Sequence, residues 1–207
     1  MAAGPAFTQI PTFFCPNRSP AMTIYEAIVT RRSVKEFTER PVTREEIERL
    51  LDVVVHAPNH RLTEPWRFYV LGPAARRAYG AVLGGRKARR IEDAEAAAAV
   101  LEKVAERHAR LPAMLVVSVI LDDNPEIREE DFAAVYMGIQ NLSLVAGSMG
   151  LGTHLKTGAV MDDPGAREVV GVPEGERIVC VVEVGEPARV PDAKPRRSAS
   201  ESTTWVG

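Results

Sequence analysis

Cysteine is scarce, with two in 207 residues, Cys15 and Cys180, and no C-x-x-C pair. That excludes a disulfide-built scaffold and a dithiol redox motif. Cys180 lies inside Ile178-Val179-Cys180-Val181-Val182, which reads as a buried strand, while Cys15 lies in a Pro-containing leader, so no bridge between them is expected. This usage predicts a reducing, cytoplasmic setting. A surplus of charge is missing as well. The 26 basic and 28 acidic residues leave a net of −2, so no global field favours nucleic acid or an anionic membrane. Any anion site must be assembled locally. No apolar run approaches the length of a membrane span. The first twenty residues lack the basic n-region and long apolar core of a signal peptide. Residues 1–21 are expected to be a flexible leader, with Met22 opening the first patterned segment and 22–207 forming a single domain.

The common catalytic motifs are absent too. There is no G-x-x-x-x-G-K-[ST], no strand-borne G-x-G-x-x-G, no H-E-x-x-H and no G-x-S-x-G. His56 and His60 have a helical ligand spacing, but Pro58 between them should break that helix, which argues against zinc. Asp122-Asp123-Asn124 lacks the glycine and bidentate Glu of a calcium loop and reads as a solvated turn. Without a protein-borne nucleophile or metal, the chain points to an imported cofactor.

What is present is a mixed pattern of helices and strands. Hydrophobic residues make up 45%, an ordinary globular share. Thr23-Ile24-Tyr25-Glu26 and Thr43-Arg44-Glu45-Glu46 have capping-box form and should each open a helix. The first should run to about Thr30. In the second, Ile47, Leu50, Leu51, Val54 and Val55 make one apolar face, and Pro58 is the expected stop. Trp66 to Leu71 reads as a strand that buries Trp66. Residues 74–110 are rich in Ala, Arg and Glu, and Gly84-Gly85 should divide them into two helices. Met114 to Leu121 is apolar enough for a fully buried strand. Phe132, Val135, Ile139, Leu142 and Val145 mark a long buried helix ending near Gly150. A short strand should follow at Thr153 to Lys156, then a helix opened by Asp163-Pro164 and closed at Gly171, then a last central strand from Ile178 to Gly185. The total predicts an α+β fold with a mixed or antiparallel central sheet flanked by helices. The tail carries Arg189, Lys194, Arg196 and Arg197 against Asp192, and Trp205 with no local core to bury it. Residues 187–207 should therefore wrap a partner subunit.

Arg31-Arg32-Ser33 ends the first helix. Arginine forks and a hydroxyl suit a phosphate, yet two cations at a helix C-terminus equally suit the helix dipole. Taken alone, the triplet decides nothing.

Its context does more. Arg31-Arg32-Ser33-Val34-Lys35-Glu36-Phe37, Pro41-Val42, Ala57-Pro58-Asn59-His60 and Pro65-Trp66-Arg67-Phe68 occur in this order. Ile139-Gln140-Asn141-Leu142, Gly150-Leu151-Gly152, Pro173-Glu174 and Lys194-Pro195-Arg196-Arg197 follow. The series, from about Met22 to the C-terminus, resembles the nitroreductase family of FMN-dependent oxidoreductases, in its short-form branch with an A-P-x-H stretch. The resemblance implies a homodimer with FMN at the interface and NADH or NADPH as electron donor. A nitroaromatic, quinone or similar small acceptor would be reduced by a ping-pong mechanism, with no catalytic acid from the protein. Arg31, Arg32 and Ser33 would hold the ribityl phosphate, joined from the tail by Lys194 or Arg196. Thr157 and Gly158 would lie at the flavin N5 edge and Lys156 near its pyrimidine end, although Lys156 reads equally as an ordinary strand-end lysine. His56, Asn59 and His60 would close over the cofactor from the second subunit. His56 fits a helix cap or interface packing at least as well.

Two positions depart from the family pattern. Leu62 stands where many members have Asn, and Glu64 where many have Gln. Leu62 lacks the amide that would contact flavin, and Glu64 adds negative charge near a substrate mouth. The same fold also serves reductive dehalogenation and flavin breakdown, usually with a substrate-covering lid, for which residues 84–110 are the one candidate stretch. A flavin-binding module without turnover and a cofactor-free structural dimer are the remaining alternatives.

Overall fold

The computed structural model describes residues 22–207. The leader and Cys15 lie outside that range. Helix α1 (Ile24–Thr30) opens on a complete capping box at Thr23 and Glu26, and α2 (Arg44–Asp52) on another at Thr43 and Glu46. Between them lies the short strand β1 (Glu36–Phe37). Strand β2 (Trp66–Val70) follows, then α3 (Pro73–Ala88), α4 (Ala94–Ala109), β3 (Ala113–Ile120) and α5 (Pro125–Ser148). The chain continues through β4 (Gly152–Lys156), α6 (Pro164–Val170), β5 (Glu176–Gly185), β6 (Pro187–Arg189) and a 3-10 turn (Ala199–Ser202).

The main sheet is antiparallel, in the order β2-β3-β5-β4. Strand periodicity sends alternate residues to opposite faces. Leu115, Val117 and Val119 of β3 join Cys180, Val182 and Val184 of β5 in a core with Leu50 and Val54 and with Val135, Ile139 and Leu142 of α5. Met114, Val116 and Val181 face the other way, into a core with Tyr79 of α3 and Ala166 of α6. This is the expected α+β arrangement, with two apolar layers sharing one sheet. Trp66 is buried in the first of them. No described helix is long and apolar enough to cross a membrane.

Two local expectations fail. Gly84 and Gly85 do not divide the 74–110 stretch. Helix α3 runs through both, and the break falls later, at Arg89 to Asp93, where the Asp93 carboxylate accepts from Ala96 N at 2.6 Å to cap α4. The glycine serves contact instead of a turn. A Cβ on Gly84 would sit 2.7 Å from Leu101 Cα, so the missing side chain lets α4 lie against α3. Gly84→Ala is expected to destabilise the fold by about 1–3 kcal/mol, measured by urea unfolding. A neutral effect would show that the two helices are free to separate. Helix α2 also ends at Asp52, well before Pro58, which leaves Val55 and His56 exposed in the following turns.

Candidate functional site

Helix α1 delivers Arg31 and Arg32 at its C-terminal end, where Arg31 N donates to Ala27 O at 3.2 Å as the cap. The chain then turns extended. Ser33 forms a parallel bridge with Thr153, and Val34 N donates to Thr153 O at 3.0 Å, which clamps the triplet beside the start of β4. The tail is brought to the same place by backbone pairing. Strand β6 runs antiparallel to β1, with Glu36 opposite Arg189 and Phe37 opposite Pro187. Thr38 N adds a bond to Glu186 O at 2.9 Å.

The two ends of the chain thus enclose a cavity of about 600 Å³. Arg31, Arg32, Ser33, Lys35, Arg189, Lys194 and Arg196 line it, against only Glu36 and Asp192. A protein with a net charge of −2 has here gathered cations around one hollow. The donor set fits a phosphate dianion, because forks, an ammonium and a hydroxyl can each give charge-assisted hydrogen bonds. Arg32 is partly committed, since its Nη1 donates to Val29 O at 2.9 Å and to Arg31 O at 3.0 Å. The Arg31, Lys194 and Arg196 side chains make no hydrogen bond or ion pair among the described residues, leaving them available to an anion.

From Thr153 to Thr157 the chain, along β4 and one residue past it, covers roughly 13 Å at the usual rise per residue. Thr157 and Gly158 follow its end and line a second hollow with Phe132 and Tyr136 of α5. Gly158 has φ +115°, a backbone state that side chains rarely adopt. Neither Thr157 N nor Gly158 N donates a hydrogen bond among the described residues. Two successive exposed donors without acceptors are a place where negative charge can be stabilised.

Lys156, just before them, is neither open to that hollow nor an ordinary exposed strand end. Its ammonium pairs with Glu183 of β5, which is fully buried. Arg107 donates to both Glu183 oxygens, at 3.0 and 3.2 Å. His154, directly opposite Glu183 in the β4–β5 register, places Nδ1 2.9 Å from Oε2. His108 Nδ1 lies 2.7 Å from Val104 O, which can only accept, so that nitrogen carries the proton. His108 Nε2 then offers a lone pair toward Lys156 Nζ, 3.5 Å away. Burial alone would raise the Glu183 carboxyl. Hydrogen bonds from His154 and Arg107 and the charge of Lys156 outweigh it and hold Glu183 well below the usual carboxylate range. Burial pushes His108 down, which keeps it neutral.

The loop carrying the other candidates lies elsewhere. Asn59 spends its amide inside the loop, accepting from Glu64 N at 2.9 Å and donating to Thr63 Oγ1 at 3.1 Å. His60 Nδ1 faces Glu130 of α5 at 3.1 Å, and Arg61 Nε donates to the same carboxylate at 3.0 Å. Thr63 Oγ1 bonds Asp131. Leu62 and Glu64 take left-handed backbone states, with φ of 50° and 46°, and this stapling holds them there. Within one chain, none of His56, Asn59 and His60 lines the Arg31 cavity. Among the described residues no group of His, Cys, Asp and Glu is placed to hold a metal.

A sequence profile described as the nitroreductase family matches residues 28–186. The chain belongs to the nitroreductase family. YfhC of Bacillus subtilis (strain 168), whose name marks it as a provisional NAD(P)H nitroreductase, is 31% identical over 176 residues, covering 83% of this chain and 88% of its own. The crystal structure of a nitroreductase-like family protein from Bacillus cereus superposes with a TM-score of 0.80 at 29% identity, over 92% of this chain and 99% of its own. The NADPH:FMN oxidoreductase of Vibrio harveyi, solved with NAD+, shares the fold with a TM-score of 0.69 at 20% identity, over 88% of this chain and 76% of its own.

The nitroreductase pattern in the sequence did not flag Glu183, Arg107, His108 or His154. One signal was present. Glu183 is the only charged residue in the apolar run Ile178 to Gly185, and His154 and Lys156 are two apart on a neighbouring strand, hence on one face.

Proposed function

We propose that this nitroreductase-family chain is an FMN-dependent oxidoreductase that moves hydride from NADH or NADPH to a small acceptor such as a nitroaromatic or quinone. The convergence of Arg31-Arg32-Ser33 with Lys194 and Arg196 on one basic cavity carries this reading. FMN bound there would supply the redox chemistry, a two-electron exchange between nicotinamide and acceptor. The protein's share is binding, orientation and electrostatics. Arg31, Arg32, Ser33, Lys194 and Arg196 hold the phosphate. The Thr157 and Gly158 amides stabilise charge at the reacting edge. Lys156 acts through its pairing with Glu183, fixing the end of β4. No protein acid is required, and donor and acceptor use the opening in turn.

The assembly that fits is a homodimer. Ile24, Tyr25 and Ile28 of α1 are exposed, and Trp205 is 92% exposed on the single chain. A second copy would cover them and bring His56, Asn59 and His60 over its neighbour's cofactor. The α3–α4 pair packs on α6 and the sheet-side core, so nothing favours the lid of the dehalogenating or flavin-cleaving branches.

Purified protein loaded with FMN should be yellow, and anaerobic NADH or NADPH should bleach it. Colourless protein that takes up no FMN would overturn the reading. Yellow protein that neither nicotinamide reduces would point to a binding module without turnover.

A further inference from the structure

The last turn of α3 and the residues after it carry Arg86, Lys87, Arg89 and Arg90 within five positions. The negative pole of a helix offsets only about half a charge, so most of this basic density is left over. Local carboxylates absorb only the Arg86 share of it. Asp163 binds Arg86 at 2.6 Å and also caps α6, while Asp162 pairs with Arg177 at 3.2 Å. Lys87, Arg89 and Arg90 make no ion pair among the described residues. Two adjoining hollows share Arg86 and Arg89. One, of about 690 Å³, reaches across to Ala159, the residue after Gly158, and is also lined by Asp162 and Asp163, whose carboxylates are paired with Arg177 and Arg86. The other, of about 390 Å³, is lined by Leu83 with all four cations.

The two hollows therefore connect the cations to Ala159, next to the turn where the Thr157 and Gly158 amides stand, and the Arg31 cavity shares none of these residues. Arg86 is held in place by Asp163, so part of this shelf is preorganised. A nicotinamide at the Thr157–Gly158 edge leaves its ribose phosphates to be held nearby, and a phosphomonoester dianion is what clustered Lys and Arg recognise best.

We infer that this shelf binds the 2′-phosphate of NADPH and makes NADPH the preferred hydride donor. The inference rests on the oxidoreductase reading above and adds the identity of the donor.

The test is calorimetric, on FMN-loaded protein, with adenosine 2′,5′-bisphosphate, adenosine 5′-monophosphate and inorganic phosphate as probes. The bisphosphate should bind at least about tenfold more tightly than the monophosphate. The triple variant Lys87→Ser, Arg89→Ser, Arg90→Ser should erase that difference while keeping its FMN content. In parallel, the ratio of kcat/KM for NADPH over NADH should fall at least about tenfold in the variant. Equal binding of the two nucleotides by the parent protein, or a preference that survives in the variant, overturns the shelf. Inorganic phosphate binding as tightly as the bisphosphate also overturns it, by showing a free-anion site. FMN content is measured separately, so failure of the flavin reading shows as colourless protein whatever the nucleotide probes report.

Discussion

Glu183→Gln should destabilise the folded protein by roughly 3–5 kcal/mol, the usual cost of removing one partner from a buried ion pair. Lys156 would be left below the surface facing Arg107 and two histidines, with no carboxylate between them. For a chain of this size the loss corresponds to a fall in Tm of roughly 6–20 °C. The same cluster sets an acid limb. The Glu183 pKa is depressed by folding, so its contribution is complete above the ordinary Glu value of about 4.3 and drains away as pH falls toward the folded value. His108 is also depressed. Below about pH 6.5 the unfolded chain binds a proton that folded His108 refuses, so stability drops there first. Unfolding free energies measured from pH 8 to pH 3 should therefore fall in two stages, and Glu183→Gln should shrink the lower one, to which the depressed Asp163 and Glu46 carboxyls also contribute. A change under about 1 kcal/mol at pH 7, or an unaltered acid limb, would show that the cluster tolerates an empty centre.

Arg31→Ala should weaken FMN retention by roughly 30- to 150-fold, taking about 2–3 kcal/mol for a hydrogen-bonding cation opposite a phosphate. Arg31 is chosen over Arg32 because the Arg32 guanidinium also caps α1. Its removal would mix cofactor loss with local unfolding. Arg31→Lys should recover part of the affinity, since it restores charge but not the planar fork. Fluorescence titration of FMN into the cofactor-free protein measures both. Retention equal to the parent protein would remove Arg31 from the phosphate site and leave the tail cations to account for the cavity.

The fold was legible where local chemistry and tertiary packing agree. Thr23, Thr43 and Asp163-Pro164 announced helix starts because a capping side chain acts within four residues. The apolar runs around Met114 and Ile178 announced central strands, because both faces of each are covered. Gly84-Gly85 misled because a glycine reads the same whether it breaks a helix or admits a neighbour, and only α4 decides between them. The site divided in the same way. Arg31-Arg32-Ser33 and the basic tail could be paired in advance only through the family resemblance, and both line one cavity. Lys156 could not be placed. Its partners Arg107 and Glu183 come from distant stretches, and nothing beside Lys156 in the chain announces them.

The pairing of β1 with β6 has a consequence for the life of the molecule before it works. The basic cavity draws on residues from near the start of the domain and on others that follow β6. In a nascent chain Arg31 emerges long before Lys194 and Arg196, and β1 waits for the strand that completes it. A chain cut after β5 would keep the residues of both cores but lack the part of the cavity lining that Arg189, Lys194 and Arg196 supply.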